Sequence, residues 1–102
     1  MNRRYVLAPQ AARDLVQIWR YVKREVSREA ADRVESVIRA KFVYLAGFPD
    51  AGHSRHDLTS ADVRFFSVYS YLIVYRPETK PLQVVSLLHG SRDVAGILSE
   101  RL

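Results

Sequence analysis

The segment that most restricts the fold is the apolar run at residues 84–88, Val-Val-Ser-Leu-Leu, which carries no charge. Pro81 precedes this run and Gly90 follows it. A short uncharged run between two chain breakers is typical of a strand buried in the interior of a sheet. The rest of the chain must therefore supply neighbouring strands and an apolar layer that covers them.

Polar residues gather where this strand ends. His89, Arg92 and Asp93 follow directly after the apolar run. Functional groups often lie at such exits, because a rigid strand holds the loop that presents them. We therefore take these three residues as the first candidates for a functional site.

The first half of the chain has the periodicity of two amphipathic helices. Pro9 suits the first turn of a helix, whose predicted apolar stripe is Ala12, Leu15, Trp19, Val22 and Val26. Ser27 suits the N-cap of a second helix, whose predicted stripe is Val34, Ile38, Phe42 and Leu45. Gly47 and Pro49 end it. The short connection at Ser27 predicts an antiparallel helical hairpin.

The second half has strand character, with β-branched and aromatic residues between short turns. We predict strands at residues 63–68, 71–76 and 82–89, and a further opening strand at residues 3–7. The turns at 69–70 and 77–81 are too short for anything but antiparallel neighbours. Residues from Asp93 onward favour one or two helical turns. The prediction is one α+β domain over residues 1–102, ordered β-α-α-β-β-β. Its helical hairpin packs on one face of a small, mostly antiparallel sheet, and a short C-terminal helical turn follows.

Composition excludes several classes of protein. The chain has no cysteine, which rules out disulfides, thiolate zinc sites and cysteine nucleophiles. It has no apolar run long enough for a membrane span, and its first residues do not resemble a secretory signal. We therefore expect a cytoplasmic protein that does not associate with membranes.

The charge balance is basic and depends mainly on arginine. The formal net charge is +5, with 13 arginines against 3 lysines. Guanidinium groups bind carboxylates and phosphates through paired hydrogen bonds. A surface of this kind suits nucleic acid or an acidic protein segment, and it is equally compatible with a solvated basic surface.

Two further groups of residues have the types of a site but not the spacing. His53, His56 and Asp57 include metal-ligand types, but no fourth ligand accompanies them at a diagnostic spacing. His89 and Asp93, with Ser91 between them, are too close along one turn to form a hydrolase triad, and no nucleophile elbow precedes them. We expect no metal and no cofactor.

An ordered set of segments resembles the ParE/RelE superfamily of toxins from bacterial type II toxin–antitoxin pairs, and its ParE branch in particular. The closing segment, Leu88-His89-Gly90-Ser91-Arg92-Asp93, is the most distinctive. The others, in chain order, are Tyr5-Val6-Leu7-Ala8-Pro9-Gln10-Ala11, Asp14-Leu15, Ile18-Trp19-Tyr21, Gly52 to Asp57-Leu58, Val63-Arg64-Phe65-Phe66 and Tyr71-Leu72-Ile73-Val74-Tyr75-Arg76.

The resemblance implies a cytosolic toxin that a co-expressed, ParD-like antitoxin neutralises. The antitoxin's disordered, amphipathic C-terminal segment would fold on the toxin. Operator DNA would be bound only indirectly, through the antitoxin. The fold of such toxins agrees with the one predicted from the residues.

The choice of branch depends on positions that RelE-type ribonucleases use. In that branch an arginine lies in the middle strand, at Tyr71 or Leu72 here, and a tyrosine lies at the position of Leu98. Arg92 is retained, and the basic pair expected in the preceding loop is at best Arg55 and His56. Most of the RelE-type catalytic set is therefore missing, which favours the ParE branch. Resemblance to that branch implies an inhibitor of DNA gyrase, a protein without turnover rather than an enzyme. The alternatives are a ribosome-dependent mRNA endoribonuclease of RelE type and a non-toxic binding module.

We predict that the target or the antitoxin contacts Arg64, Tyr71, Tyr75, His89, Arg92 and Asp93. Each residue also has a structural alternative. Asp93 can cap the terminal helix, Arg92 can pair with a carboxylate, and His89 can hydrogen-bond the turn that follows it. The tyrosines can pack in the core, and Arg64 can be solvated.

Overall fold

The computed structural model describes residues 4–102 and confirms the predicted order of elements. The strands are β1 (Tyr5–Leu7), β2 (Arg64–Val68), β3 (Tyr71–Arg76) and β4 (Leu82–His89). The helices are α1 (Pro9–Glu25), α2 (Arg28–Gly47) and α3 (Val94–Arg101), with a 3-10 turn at Pro49–Ala51. Arg3, the first residue of the predicted opening strand, lies outside the described residues.

The helical hairpin begins and ends where the sequence predicts. Pro9 opens α1, and the Ser27 side chain accepts a hydrogen bond of 3.0 Å from the Ala30 N–H at the start of α2. The indole N–H of Trp19 donates to the Asp32 carboxylate at 2.8 Å, which links the two helices. The hairpin is therefore fixed by caps and by a side-chain contact between the helices.

The sheet has the strand order β1-β4-β3-β2, so β4 is an interior strand, as predicted. The pairs β2–β3 and β3–β4 are antiparallel, whereas β1 runs parallel to β4 through Tyr5↔Leu82 and Leu7↔Val84. The β3–β4 register shifts between Val74 and Tyr75, which pair with Ser86 and Val84. Val85 lies between Val84 and Ser86 and has no partner of its own in β3, so this extra residue of β4 forms a β-bulge.

Both faces of the sheet are covered by helices. The hairpin covers one face, where Ile38, Phe42 and Leu45 of α2 are fully buried against Ile73 and Val84. A second core lies on the other face, between α3 and the sheet, and contains Val63, Phe65, Val74, Val85, Leu88, Val94 and Leu98. The predicted C-terminal helical turns are therefore present as α3, and they also cover the second face of the sheet, which was not predicted.

The buried stripe of α1 is rotated relative to the prediction. The buried residues are Ala11, Asp14, Leu15 and Ile18, with Val22 packed against them. Of the predicted stripe, Trp19 is only half-buried, and Val26 lies beyond the helix and is 71% exposed. The stripe of α2 is as predicted. No helix among residues 4–102 is both long and apolar enough to cross a membrane.

Candidate functional site: a groove beside the exit of the central strand

A groove of about 520 Å³ lies between α1 on one side and the start of β3 and the end of β4 on the other. We call it the α1–β4 groove. The residues that line it are Asp14, Gln17, Ile18, Tyr21, Tyr69, Ser70, Tyr71, Leu87, His89 and Arg92. Its size is within the range of about 300–1,000 Å³ that is usual for ligand sites. Three of the six predicted residues, Tyr71, His89 and Arg92, therefore meet in one concavity.

One wall of the groove is a single face of α1. Asp14, Gln17, Ile18 and Tyr21 follow one another at spacings of three, one and three residues, which places them on the same side of the helix. Ile18 is buried and continues the core into the floor of the groove, whereas Tyr21 is 52% exposed at the rim. This face was not predicted, because the predicted stripe started from Ala12.

The opposite wall is the end of the β3–β4 ladder. Tyr71 and His89 are cross-strand partners, and their rings meet edge to face with 5.4 Å between centroids. Both side chains are half-buried. Burial raises the pKa of the Tyr71 hydroxyl, and the nearby Tyr21 adds to this effect. The Tyr71 hydroxyl is therefore partly desolvated at this wall of the groove.

The imidazole of His89 is oriented by the turn that follows it. The Ser91 backbone N–H donates to Nδ1 at 3.1 Å, and the Ser91 hydroxyl lies 2.6 Å from the same nitrogen. These two contacts fix the orientation of the ring. The structural role predicted for His89 is thus present.

Arg92 and Asp93 are adjacent but differently engaged. The Asp93 carboxylate caps α3 by accepting the Gly96 N–H at 3.1 Å, which is the predicted structural alternative for this residue. Arg92 is exposed, and within residues 4–102 its guanidinium has no hydrogen-bonded or ion-paired partner.

A buried ion pair lies behind the groove. Both carboxylate oxygens of Asp14 accept from Arg101, at 2.6 Å and 3.1 Å, and one also accepts the Leu87 backbone N–H at 2.9 Å. Arg101 also donates to the Ser86 hydroxyl at 3.1 Å. Parallel pairing of β1 with β4 ends at Val84, so this cluster occupies the edge of β4 that β1 leaves uncovered.

Arg64 and Tyr75 lie away from the groove. Arg64 donates to the Gly52 carbonyl at 2.9 Å. Tyr75 is fully buried, and its hydroxyl donates to the Pro49 carbonyl at 2.6 Å and accepts the Gly52 N–H at 2.9 Å. A Cβ on Gly52 would lie 2.9 Å from the Phe65 carbonyl oxygen, which leaves room only for glycine. Both predicted residues therefore hold the loop after α2 against the sheet.

The other candidate groups are dispersed. His53 forms an isolated backbone bridge with Phe65, and Asp57 forms an exposed ion pair with Arg55 at 2.8 Å. Among residues 4–102, no three His, Cys, Asp or Glu side chains are close enough to hold a metal ion.

Sequence reasoning missed Tyr21, the Asp14–Arg101 pair and the placement of Tyr69 in the groove. A sequence signal existed for Asp14, because it interrupts the apolar series of Ala11, Leu15 and Ile18. A carboxylate in such a series is rarely buried without a cation. No comparable signal identifies Arg101 among thirteen arginines.

Comparisons with known proteins agree with this fold. Residues 5–94 match the family described as the ParE toxin of type II toxin–antitoxin system, parDE. No curated protein matches the chain. A solved structure described as the chromosomal ParDE TA system from P. aeruginosa contains a chain that is similar, with a TM-score of 0.70 and 18% sequence identity. The match covers 83% of this chain and 92% of that one, and at this identity it shows a common fold.

Proposed function

The chain belongs to the ParE family of toxins of type II toxin–antitoxin systems, and from this premise we propose that it arrests bacterial growth by binding DNA gyrase. In this proposal the protein is an inhibitor without turnover. The α1–β4 groove and the exposed Arg92 beside it form the contact surface.

The environment of Leu98 is the observation that carries the choice of an inhibitor over a ribonuclease. Leu98 stands where the RelE-type resemblance places a tyrosine, and it is fully buried in the core beneath α3. It has neither a titratable group nor access to a substrate. The middle-strand position, at Tyr71 or Leu72, has no cation. Cleavage of a phosphodiester needs groups that move protons and cations that stabilise the developing charge.

A cognate, ParD-like antitoxin is the second proposed partner. Its disordered C-terminal segment would cover the groove and hide Arg92 from the target. An acidic, apolar segment fits, because the groove has Ile18 and Leu87 in its lining and a free guanidinium beside it. In the same proposal the toxin resides in the cytoplasm and reaches operator DNA only through the antitoxin.

A supercoiling assay with purified gyrase and relaxed plasmid tests the proposal. We expect inhibition that rises with toxin concentration and disappears when the antitoxin is added. The Arg92→Ala variant should inhibit at least tenfold less. Arg33→Ala is the matched control, because Arg33 is an exposed arginine of α2 outside the groove.

Unchanged supercoiling at saturating toxin would refute gyrase as the target. Expression in a susceptible bacterium then separates the alternatives. Loss of messenger RNA would support a ribosome-dependent ribonuclease. Normal growth with intact messenger RNA would support a non-toxic binding module.

A further inference from the structure

The α1–β4 groove offers hydrogen-bond donors and almost no free acceptor charge. Arg92, Gln17 and the Tyr21 hydroxyl can all donate from its lining. Its one carboxylate, Asp14, is 5% exposed and is already occupied by Arg101 and the Leu87 N–H. A ligand that brings negative charge is therefore favoured over one that brings a cation.

The groove is also bordered by exposed aromatic rings. Tyr21 on α1 and Tyr69 on the β2–β3 turn are 52% and 57% exposed. Tyr71, in contact with His89, lines the wall between the strand ends. Burying exposed rings against a flat partner is favourable, and aromatic rings stack on every nucleic-acid base. These rings therefore offer stacking surfaces for a planar ligand.

Tyr69 is held at the rim in an unfavourable backbone conformation. Its φ is 53°, the only positive value of a non-glycine residue within residues 4–102. It occupies the first position of a two-residue hairpin turn, where glycine meets no steric penalty. Strained residues of this kind cluster at ligand sites. Here the strain places an exposed ring beside the groove.

One further basic residue lies next to Tyr21 at the end of α1. The Arg24 guanidinium lies 5.6 Å from the centroid of the Tyr21 ring, and its Nε is 3.4 Å from the Glu25 carboxylate in an exposed ion pair. The Lys23 ammonium lies over the ring of Trp19, which is not a lining residue of the groove. Arg92 is therefore the cation that a phosphate in the groove would meet.

We propose that the α1–β4 groove binds an unpaired nucleotide of a single-stranded or broken nucleic acid, with the base on the tyrosine rings and a phosphate at Arg92. An acidic peptide would use Arg92 but would leave the rings without flat partners, whereas a nucleotide engages both. The proposal goes beyond the proposed function, because it does not require that gyrase is the target.

Fluorescence anisotropy with labelled ten-nucleotide homopolymers of deoxythymidine and of uridine tests the proposal without gyrase or antitoxin. We expect saturable binding of at least one probe at low salt, weakened by added salt as phosphate contacts require. The stronger probe identifies whether the nucleotide belongs to DNA or RNA. Absence of saturable binding of both probes would overturn the proposal.

The Tyr69→Gly variant separates binding from folding. It removes the ring and also the backbone strain, so we expect a melting temperature equal to or above that of the wild type. Affinity for the preferred probe should fall at least tenfold, the scale of one lost base–aromatic stack. Tyr44→Ala is the matched control, since Tyr44 is 45% exposed on α2 outside the groove. Equal affinity of Tyr69→Gly and the wild type would overturn the proposal.

The Arg92→Gln variant tests the phosphate contact. Arg33→Gln is its control, because it removes the same charge outside the groove. We expect Arg92→Gln to weaken binding several-fold and to reduce its salt dependence by about one phosphate contact, and Arg33→Gln to do neither. Equal losses in both variants would mean that net charge alone attracts the probe. An acidic, tyrosine-containing peptide provides the competing test. If Tyr69 and Arg92 bind this peptide but bind no oligonucleotide, the groove is a peptide site and the proposal fails.

Discussion

Two arginines at opposite ends of α3 have contrasting environments. Arg101, the last residue of the helix, is 17% exposed and makes a bidentate ion pair with Asp14. Arg92, just before the helix, is exposed at the groove and has no partner among residues 4–102. The comparison teaches that a guanidinium stabilises a fold where burial and a carboxylate hold it. Where neither does, it is available to a ligand.

The largest effect on stability is expected from Arg101→Ala. This change would leave the Asp14 carboxylate buried without its cation, a loss of about 3–5 kcal/mol in the free energy of unfolding. Urea denaturation followed by circular dichroism measures it. Replacing both partners with apolar residues, as in Asp14→Leu with Arg101→Met, should cost much less, because no unpaired charge remains. A loss below about 1 kcal/mol for Arg101→Ala would show that the pair is not a structural contact.

The Tyr75→Phe variant should give the next largest effect. It removes the hydroxyl that bonds Pro49 and Gly52, and unpaired buried backbone groups cost about 1–3 kcal/mol in the free energy of unfolding. The test compares the melting temperatures of Tyr75→Phe and Tyr71→Phe. Tyr71→Phe is the control, since the Tyr71 hydroxyl has no hydrogen-bond partner within residues 4–102. If both variants melt at the same temperature, Tyr75 does not hold the loop.

A smaller loss is expected from removing the cap of α3. Asp93→Ala deletes the acceptor for the Gly96 N–H and should cost about 1 kcal/mol in the free energy of unfolding. Asp93→Asn retains an oxygen at the same place and should be nearly neutral. Denaturation midpoints of the two variants measure the difference. A large loss in toxicity from Asp93→Asn at unchanged stability would instead assign the carboxylate to binding.

The smallest effect on stability, and the largest on growth arrest, is expected from Arg92→Ala. An exposed side chain without partners contributes within about 0.5 kcal/mol to stability, whereas a binding surface loses its cation. Colony formation after induction, compared with Arg33→Ala, measures toxicity. A large fall in melting temperature would contradict the distinction drawn between Arg92 and Arg101.

Local chemistry made most of the fold predictable. Val84 to Leu88 form the interior strand, Ser27 caps α2, and Gly47 ends it. Of the six predicted contact residues, Tyr71, His89 and Arg92 line one groove, whereas Arg64 and Tyr75 lie elsewhere. The prediction was weaker for α1, where two overlapping apolar series, one through Ala12 and one through Ala11, fit the helical period.

The remaining features depend on contacts between distant parts of the chain. If side chains alternated strictly along β4, Ser86 would lie on the same face of the sheet as Val84. The bulge at Val85 instead turns the Ser86 hydroxyl toward Arg101. The pair of Asp14 and Arg101 joins residues 87 positions apart. No local pattern encodes either feature, and neither does the covering of the second face by α3.

The parallel pairing of β1 with β4 also governs the order in which the molecule can assemble. Among residues 4–102 β1 pairs with no other strand, so it can join the sheet only after β4 has been made. Helical and β-hairpin segments form quickly, whereas contacts between distant segments must first overcome the entropy of loop closure. During synthesis, which proceeds from the N-terminus, the α1–β4 groove has no second wall until residues 87–92 have emerged. A growing chain would thus lack the complete groove until β4 and the turn after it had been made.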